Sequence, residues 1–127
     1  MKKAIYYAHP VNIYNTEQEK RDLYTIQSLF PVKEILNPNT QVIQKDIEIL
    51  KKTDGHIMSY FYNLISTKCD VLVFRATPYM SITGGVWGEI QTAKDCGFPI
   101  IELPNLMSFR ELSHEQTVEY LKLIGNR

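Results

Sequence analysis

No run in this sequence approaches the ~20 consecutive apolar residues that a membrane-spanning helix requires, so no span and no membrane partner are expected. Net charge is also absent, with 14 basic residues set against 14 acidic ones and no long run of either sign. That balance argues against the broad positive field that binds nucleic-acid polymers. It leaves room for a local phosphate site built on backbone N–H groups. Cysteine is scarce: Cys69 and Cys96 stand alone, with no Cys-x-x-Cys pair, and His9, His56 and His114 are scattered. Free thiols in a reducing compartment are the expectation, and these spacings disfavour zinc. Lys2 and Lys3 precede only a short apolar run before His9-Pro10, too short and too polar for a secretory signal. The expected location is cytoplasmic. Repeats, low-complexity tracts and linkers are lacking too.

What remains is ordinary globular composition over 127 residues, with 44% hydrophobic and 22% charged side chains. One domain spanning 1–127 is expected, large enough to bury a core without disulfides or a metal. Residues 3–8 are apolar nearly throughout and read as a strand buried on both faces, ended by His9-Pro10. Thr16 and Glu19 fit a capping box, and Leu23, Ile26 and Phe30 follow at helical spacing, predicting a helix over 16–29. Val32 to Leu36 reads as a short second strand, closed by the turn Asn37-Pro38-Asn39. Helical segments are predicted around 42–52 and 55–67, broken near Asp54-Gly55. Cys69 to Phe74 is a strong buried strand with a long polar loop after it, 76–85. A helix is then predicted over 86–96 with Gly97 as its C′ residue, then a strand over 98–103 and a short strand around 107–111. Ser113 and Gln116 mark a last helix, 114–124. Strands alternating with helices predict an α/β fold: an open, doubly wound, Rossmann- or flavodoxin-like parallel sheet of four to five strands with helices on both faces. Such sheets bind ligands at the carboxyl ends of their strands. The loops after the first, second and third strands are therefore the ones to inspect.

The third of these loops holds Ser81, and Gly84-Gly85 close it ahead of Val86-Trp87-Gly88-Glu89. Adjacent glycines allow positive φ and close backbone approach. The helix that follows has free N–H groups and a positive dipole end, suited to an anion. Glu89, about one turn in, is either a carboxylate aimed over the strand ends, able to act as nucleophile or base, or a solvated first-turn acid. Gly88 beside it leaves space for a ligand. The first loop offers His9, Asn12, Tyr14, Asn15 and Thr16. His9 is either a general acid or a satisfied side chain at a strand end. Tyr6 and Tyr7 alternate across the strand; either one approaches the crevice while the other packs under a helix, or both are core. Trp87 is a core anchor, a subunit contact or a ring that stacks on a base. Asp70 starts the third strand at the far end from the crevice, where a cap or surface charge explains it. Tyr60, Phe61 and Tyr62 read as a helix face and rim.

With these loops placed, the chain resembles the nucleoside 2-deoxyribosyltransferase superfamily, including its deoxynucleotide N-hydrolase branch. Three segments carry the resemblance: Ile5-Tyr6-Tyr7-Ala8-His9-Pro10, Cys69-Asp70-Val71-Leu72-Val73-Phe74, and Gly85-x-x-x-Glu89 with Gly97-Phe98-Pro99-Ile100-Ile101 downstream. They span 5 to about 103, and the middle, 31–68, is similar only in layout. The resemblance implies that Glu89 is the catalytic nucleophile, attacking the anomeric carbon of a ribosyl or deoxyribosyl group so that the base leaves. The glycosyl ester then passes to another base or to water. It further implies a nucleoside or nucleotide as small-molecule partner, pocket residues among Tyr7, His9, Asn12, Ser81, Gly84, Gly85 and Trp87, no cofactor, and assembly as a homodimer or larger homo-oligomer. A binding module holding the nucleotide without cleaving it is the alternative. Two positions and one loop differ from the pattern: Thr83 stands where the transferases have Asp, and Val86 stands where they have Thr, a valine being closer to the N-hydrolase branch. The loop Pro10 to Tyr14 has no glycine, unlike that branch's phosphate loop.

Overall fold

Strand β1 (Ala4–Ala8) opens the fold. A single 3-10 turn at Val11–Ile13 and helix α1 (Glu17–Leu29) come next, then β2 (Ile35–Leu36), α2 (Gln41–Thr53), α3 (Ile57–Lys68), β3 (Cys69–Arg75), α4 (Gly84–Asp95), β4 (Ile100–Leu103) and β5 (Met107–Ser108). The structure is a computed structural model and describes residues 3–53, 57–76, 82–103, 107–108 and positions 114, 115, 118 and 122. The strands lie in the order β2-β1-β3-β4-β5. β1 pairs in parallel with β2 and β3, and β3 in parallel with β4. The short β5 runs antiparallel to β4, which makes the fifth strand an edge hairpin and not a further parallel crossover. The fold is α/β with a Rossmann- or flavodoxin-like parallel sheet. Its order reverses at β1, where the chain leaves toward β2 and returns to the other side as β3.

Side-chain alternation in the strands splits the core into two layers. Tyr6 and Ala8 of β1, Leu72 and Phe74 of β3, and Ile100 of β4 pack against Ile65 of α3 and Val86, Ile90 and Ala93 of α4. Ile5 and Tyr7, Val71 and Val73, and Ile101 and Leu103 pack on the other face against Ile26 and Phe30 of α1. Each of the fully buried aliphatic side chains contributes on the order of 1.5–3 kcal/mol by leaving water. Burial on both faces explains why β1 and β3 are apolar at consecutive positions.

Several element ends differ from expectation. β2 is two residues long, not five, because Lys33 N–H donates to the Phe30 carbonyl in a turn (3.2 Å) that delays the strand. α4 begins at Gly84, so the glycine pair forms its first turn and not a loop before it. Thr83 is the N-cap, its side-chain oxygen accepting from Val86 N–H at 3.4 Å. Positive φ is therefore not what these glycines supply; among the described glycines only Gly97 has it, at 78°. Gly97 closes α4 as the C′ residue: its N–H donates to Lys94 O (3.1 Å) and Phe98 N–H to Ala93 O (3.0 Å), the paired bonds of a Schellman motif. The break near Asp54-Gly55 and most of the predicted final helix, 114–124, lie outside the described residues; His114, Glu115, Val118 and Lys122 are helical. Both cysteines are free, Cys69 buried and Cys96 exposed. Among the described residues, no helix is long and apolar enough to cross a membrane.

Candidate active site

A pocket of about 410 Å³ opens between the loop after β1 and the start of α4, at the point of order reversal. Its walls are His9, Asn12 and Tyr14 from the first loop, Met58 and Phe61 from α3, and Thr83, Gly85 and Glu89 around the start of α4. Gly85 and Glu89 are four residues apart and so share one helix face. The glycine leaves the approach to the carboxylate open. A Cβ there would meet only the Met58 side chain, at an ordinary 4.0 Å.

Glu89 is buried, with 6% of its surface exposed, and so is not a solvated first-turn acid. Tyr6 reaches it from β1, its hydroxyl donating to Glu89 Oε2. Burial pushes the Glu89 carboxyl up to about 7, and the Tyr6 hydrogen bond opposes that rise. The Tyr6 phenol is itself pushed far up by burial and by the Glu89 charge. A carboxylate with one oxygen tethered to a neutral hydroxyl and one left over, bordering an open pocket, can act as nucleophile or base near neutral pH.

Tyr7, one residue on, faces the other side of the sheet. Its hydroxyl donates to Asp22 Oδ2 of α1 at 2.5 Å. Arg75, at the end of β3, forks onto both oxygens of the same carboxylate, at 2.6 Å from Nε and 2.8 Å from Nη2. Tyr7 therefore anchors α1 to the sheet and does not line the pocket, a correction to its expected place in it that follows from strand alternation. Tyr6 is the tyrosine that alternation sends to the crevice.

His9 borders the pocket, yet its side chain is fully withdrawn from solvent. Nδ1 lies 3.0 Å from the Tyr7 carbonyl oxygen and Nε2 2.8 Å from Glu19 Oε2. The ring stacks on Tyr7, with centroids 3.7 Å apart. Whichever partner holds the shared proton, neither nitrogen faces the pocket. Burial pulls the His9 pKa down, against the hydrogen bonds to Glu19 and Tyr7. Burial works to raise the Glu19 carboxyl, but bonds from His9, Asn39 and the Asn15 N–H outweigh it and hold it below its ordinary value. Glu19 thus does more than cap a helix: it ties together the loops after β1 and β2.

Asn12 lines the pocket, as do Gly85 and Glu89. Gly84 is exposed and outside the lining, and Ser81 lies outside the described residues. Trp87 is 59% exposed, which removes the core-anchor reading. The space at Gly88 is taken by Tyr62, whose hydroxyl would lie 2.0 Å from an added Cβ, so this glycine seats α3 against α4 and makes no room for a ligand. Thr83, one of the departures from the family pattern, has a local reason in the N-cap.

Tyr14, one of the groups expected at the first loop, and two α3 residues given no site role from sequence complete the lining. Tyr14 lines the pocket, tilted against His9 at 4.8 Å between centroids, and burial pushes its phenol up to about 12, with Glu89 and Glu19 adding to the rise. Met58 and Phe61 form an apolar wall. Their three-residue spacing on one helix face is the signal that could have found them.

A larger depression of about 540 Å³ sits at the amino ends of the strands, bordered by Lys3, Glu34 and Lys68. None of the buried polar side chains (His9, Glu19, Asp22, Glu89) lines it, whereas His9 and Glu89 border the smaller pocket. Among the described residues no cluster of His, Cys, Asp or Glu could hold a metal ion. No family model matches the chain, and a search of curated proteins finds no match.

Proposed function

We propose that this protein cleaves or transfers at the N-glycosidic bond of a nucleoside or nucleotide, with Glu89 as nucleophile. One observation carries the reading: a buried carboxylate, oriented by the Tyr6 hydroxyl, borders an open pocket at the switch point of a parallel sheet. The resemblance of Gly85-x-x-x-Glu89 to the deoxyribosyltransferase helix supplies the reaction class. In that reaction the free carboxylate oxygen attacks the anomeric carbon, the bond to the base breaks, and the base leaves with the bonding electrons. The transition state is oxocarbenium-like, and a carboxylate close to the anomeric carbon stabilises it, as in retaining glycoside hydrolysis. Water or a second base then attacks the glycosyl ester and frees Glu89. The test is to incubate the protein with nucleosides and 5′-monophosphates, follow free base by chromatography, and seek the glycosyl ester on Glu89 by mass spectrometry. Release is expected from wild type and not from Glu89→Ala; equal rates from the two proteins would remove Glu89 from the chemistry.

A second reading, ligand binding without turnover, is favoured by the burial of Glu89: near pH 7 much of it is protonated and unreactive. Thermal stabilisation by a nucleoside with no base released over hours would select this reading.

A further inference from the structure

Leaving groups differ in what they need from the enzyme. An uncharged nucleobase departs with a negative charge unless an acid protonates it. A base already carrying a positive charge departs neutral and needs no proton. Apart from Glu89, which this reaction uses as the nucleophile, the described pocket walls are poor in proton donors. Both nitrogens of His9 are engaged by Tyr7 and Glu19. The Tyr14 phenol is held up at about 12. The Thr83 oxygen caps α4, and an asparagine has no proton to give.

Charge points the same way. Among the described residues that follow the parallel strands, 9–16, 37–40, 76 and 82–83, there is no lysine or arginine. Arg75, at the end of β3, is committed to Asp22 through two bonds. Lys51 and Lys52, at the end of α2, are exposed and outside the lining. Two acids, Glu89 and Glu19, lie at this end, together with the aromatic rings of Tyr14 and Phe61. A carboxylate and aromatic faces attract a flat cation; a phosphate dianion finds no side-chain cation in the described wall.

We propose that the preferred substrate is an N-riboside of a cationic pyridinium-type base without a 5′-phosphate. This inference rests on the N-glycosidic reading above and narrows it. The free oxygen of Glu89 bonds to C1′ as the C1′–N bond breaks. The bonding pair moves onto the ring nitrogen, cancels its positive charge, and the base leaves neutral with no proton transferred. Water then bonds to C1′, the ester C1′–O bond breaks to restore the Glu89 carboxylate, and one proton goes to solvent.

The experiment compares kcat/KM of the wild-type protein for nicotinamide riboside, its 5′-monophosphate, inosine and deoxyadenosine, with Glu89→Gln as the blank. Nicotinamide riboside is expected to exceed each of the others by about tenfold or more, the size of one well-placed charge interaction. Equal or faster release from inosine or deoxyadenosine overturns the inference while leaving the N-glycosidic reading standing. Equal or faster release from the monophosphate overturns the charge argument in the same way. No release above the Glu89→Gln blank from any of the four overturns both.

Discussion

At the scale of single residues, Glu89 is held in a state that costs stability. Its folded pKa, about 7, lies above the ordinary carboxylate value of 4.5, so the native state binds this proton more tightly than the unfolded chain does. Below pH 4.5 both states are protonated and nothing is lost. As pH rises from 4.5 through 7 the native protein loses stability, on the order of 3 kcal/mol from this group. Glu89→Gln keeps an acceptor for Tyr6 but cannot ionise. Its melting temperature should match wild type near pH 4 and exceed it at pH 8, measured across a pH series. Activity runs the opposite way: base release requires the carboxylate, so kcat/KM should rise with pH and level off above 7. A pH-independent stability difference would mean that Glu89 titrates at its ordinary value. Opposed stability and activity at one residue are what a buried nucleophile produces. This much was partly legible beforehand, since Gly85-x-x-x-Glu89 drew attention to the acid. Its burial was not, because a helix-start glutamate is usually solvated and only β1 supplies the partner that changes this.

Helix α4 concentrates the contrasts at the scale of elements. Its three glycines meet different surroundings. Gly88→Ala drives a methyl into Tyr62 and should cost roughly 1–3 kcal/mol, read from urea denaturation. Gly85→Leu meets open space beside Met58 and should leave stability unchanged or slightly raised, since leucine favours helix over glycine by about 0.8 kcal/mol. The same leucine fills the approach to Glu89, so base release should fall at least tenfold. Loss of stability at Gly85 with activity retained would contradict the described pocket wall. The sequence shows three glycines in five residues and a following acid, but not which glycine touches what. That information resides in α3, which is remote in sequence. The helix begins two residues before the predicted Val86 for a related reason: a glycine pair reads as a loop, whereas Thr83 caps a helix that starts at Gly84. Gly97 was legible because a glycine after the last helical turn, ahead of Phe-Pro, has a purely local explanation.

At the scale of the whole molecule, the parallel sheet was the most legible feature. β1 and β3 are continuous apolar runs, and only a sheet covered on both faces buries such runs. The antiparallel turn of β5 was not legible, because two residues carry no periodicity. The α1 face is joined to the sheet by Asp22, which takes bonds from Tyr7, Arg75 and Gln18. Asp22→Ala strands a largely buried guanidinium and should cost about 3–5 kcal/mol. Tyr7→Phe, which removes one hydroxyl from the same cluster, should cost about 1 kcal/mol. Both are read by denaturant unfolding, and a near-neutral Asp22→Ala would show that Arg75 finds water at little cost.

The adjacent tyrosines of β1 also tie the alignment of that strand to the chemistry. Tyr6 meets its acid on one face and Tyr7 meets a different acid on the other. A slip of one position leaves at most one tyrosine opposite a carboxylate and sets Ile5 or Ala8 against the other, so a buried acid loses its hydroxyl whichever way the strand moves. Single-residue insertions or deletions between Ala4 and Ala8 should therefore be far less tolerated than the apolar composition of the strand suggests.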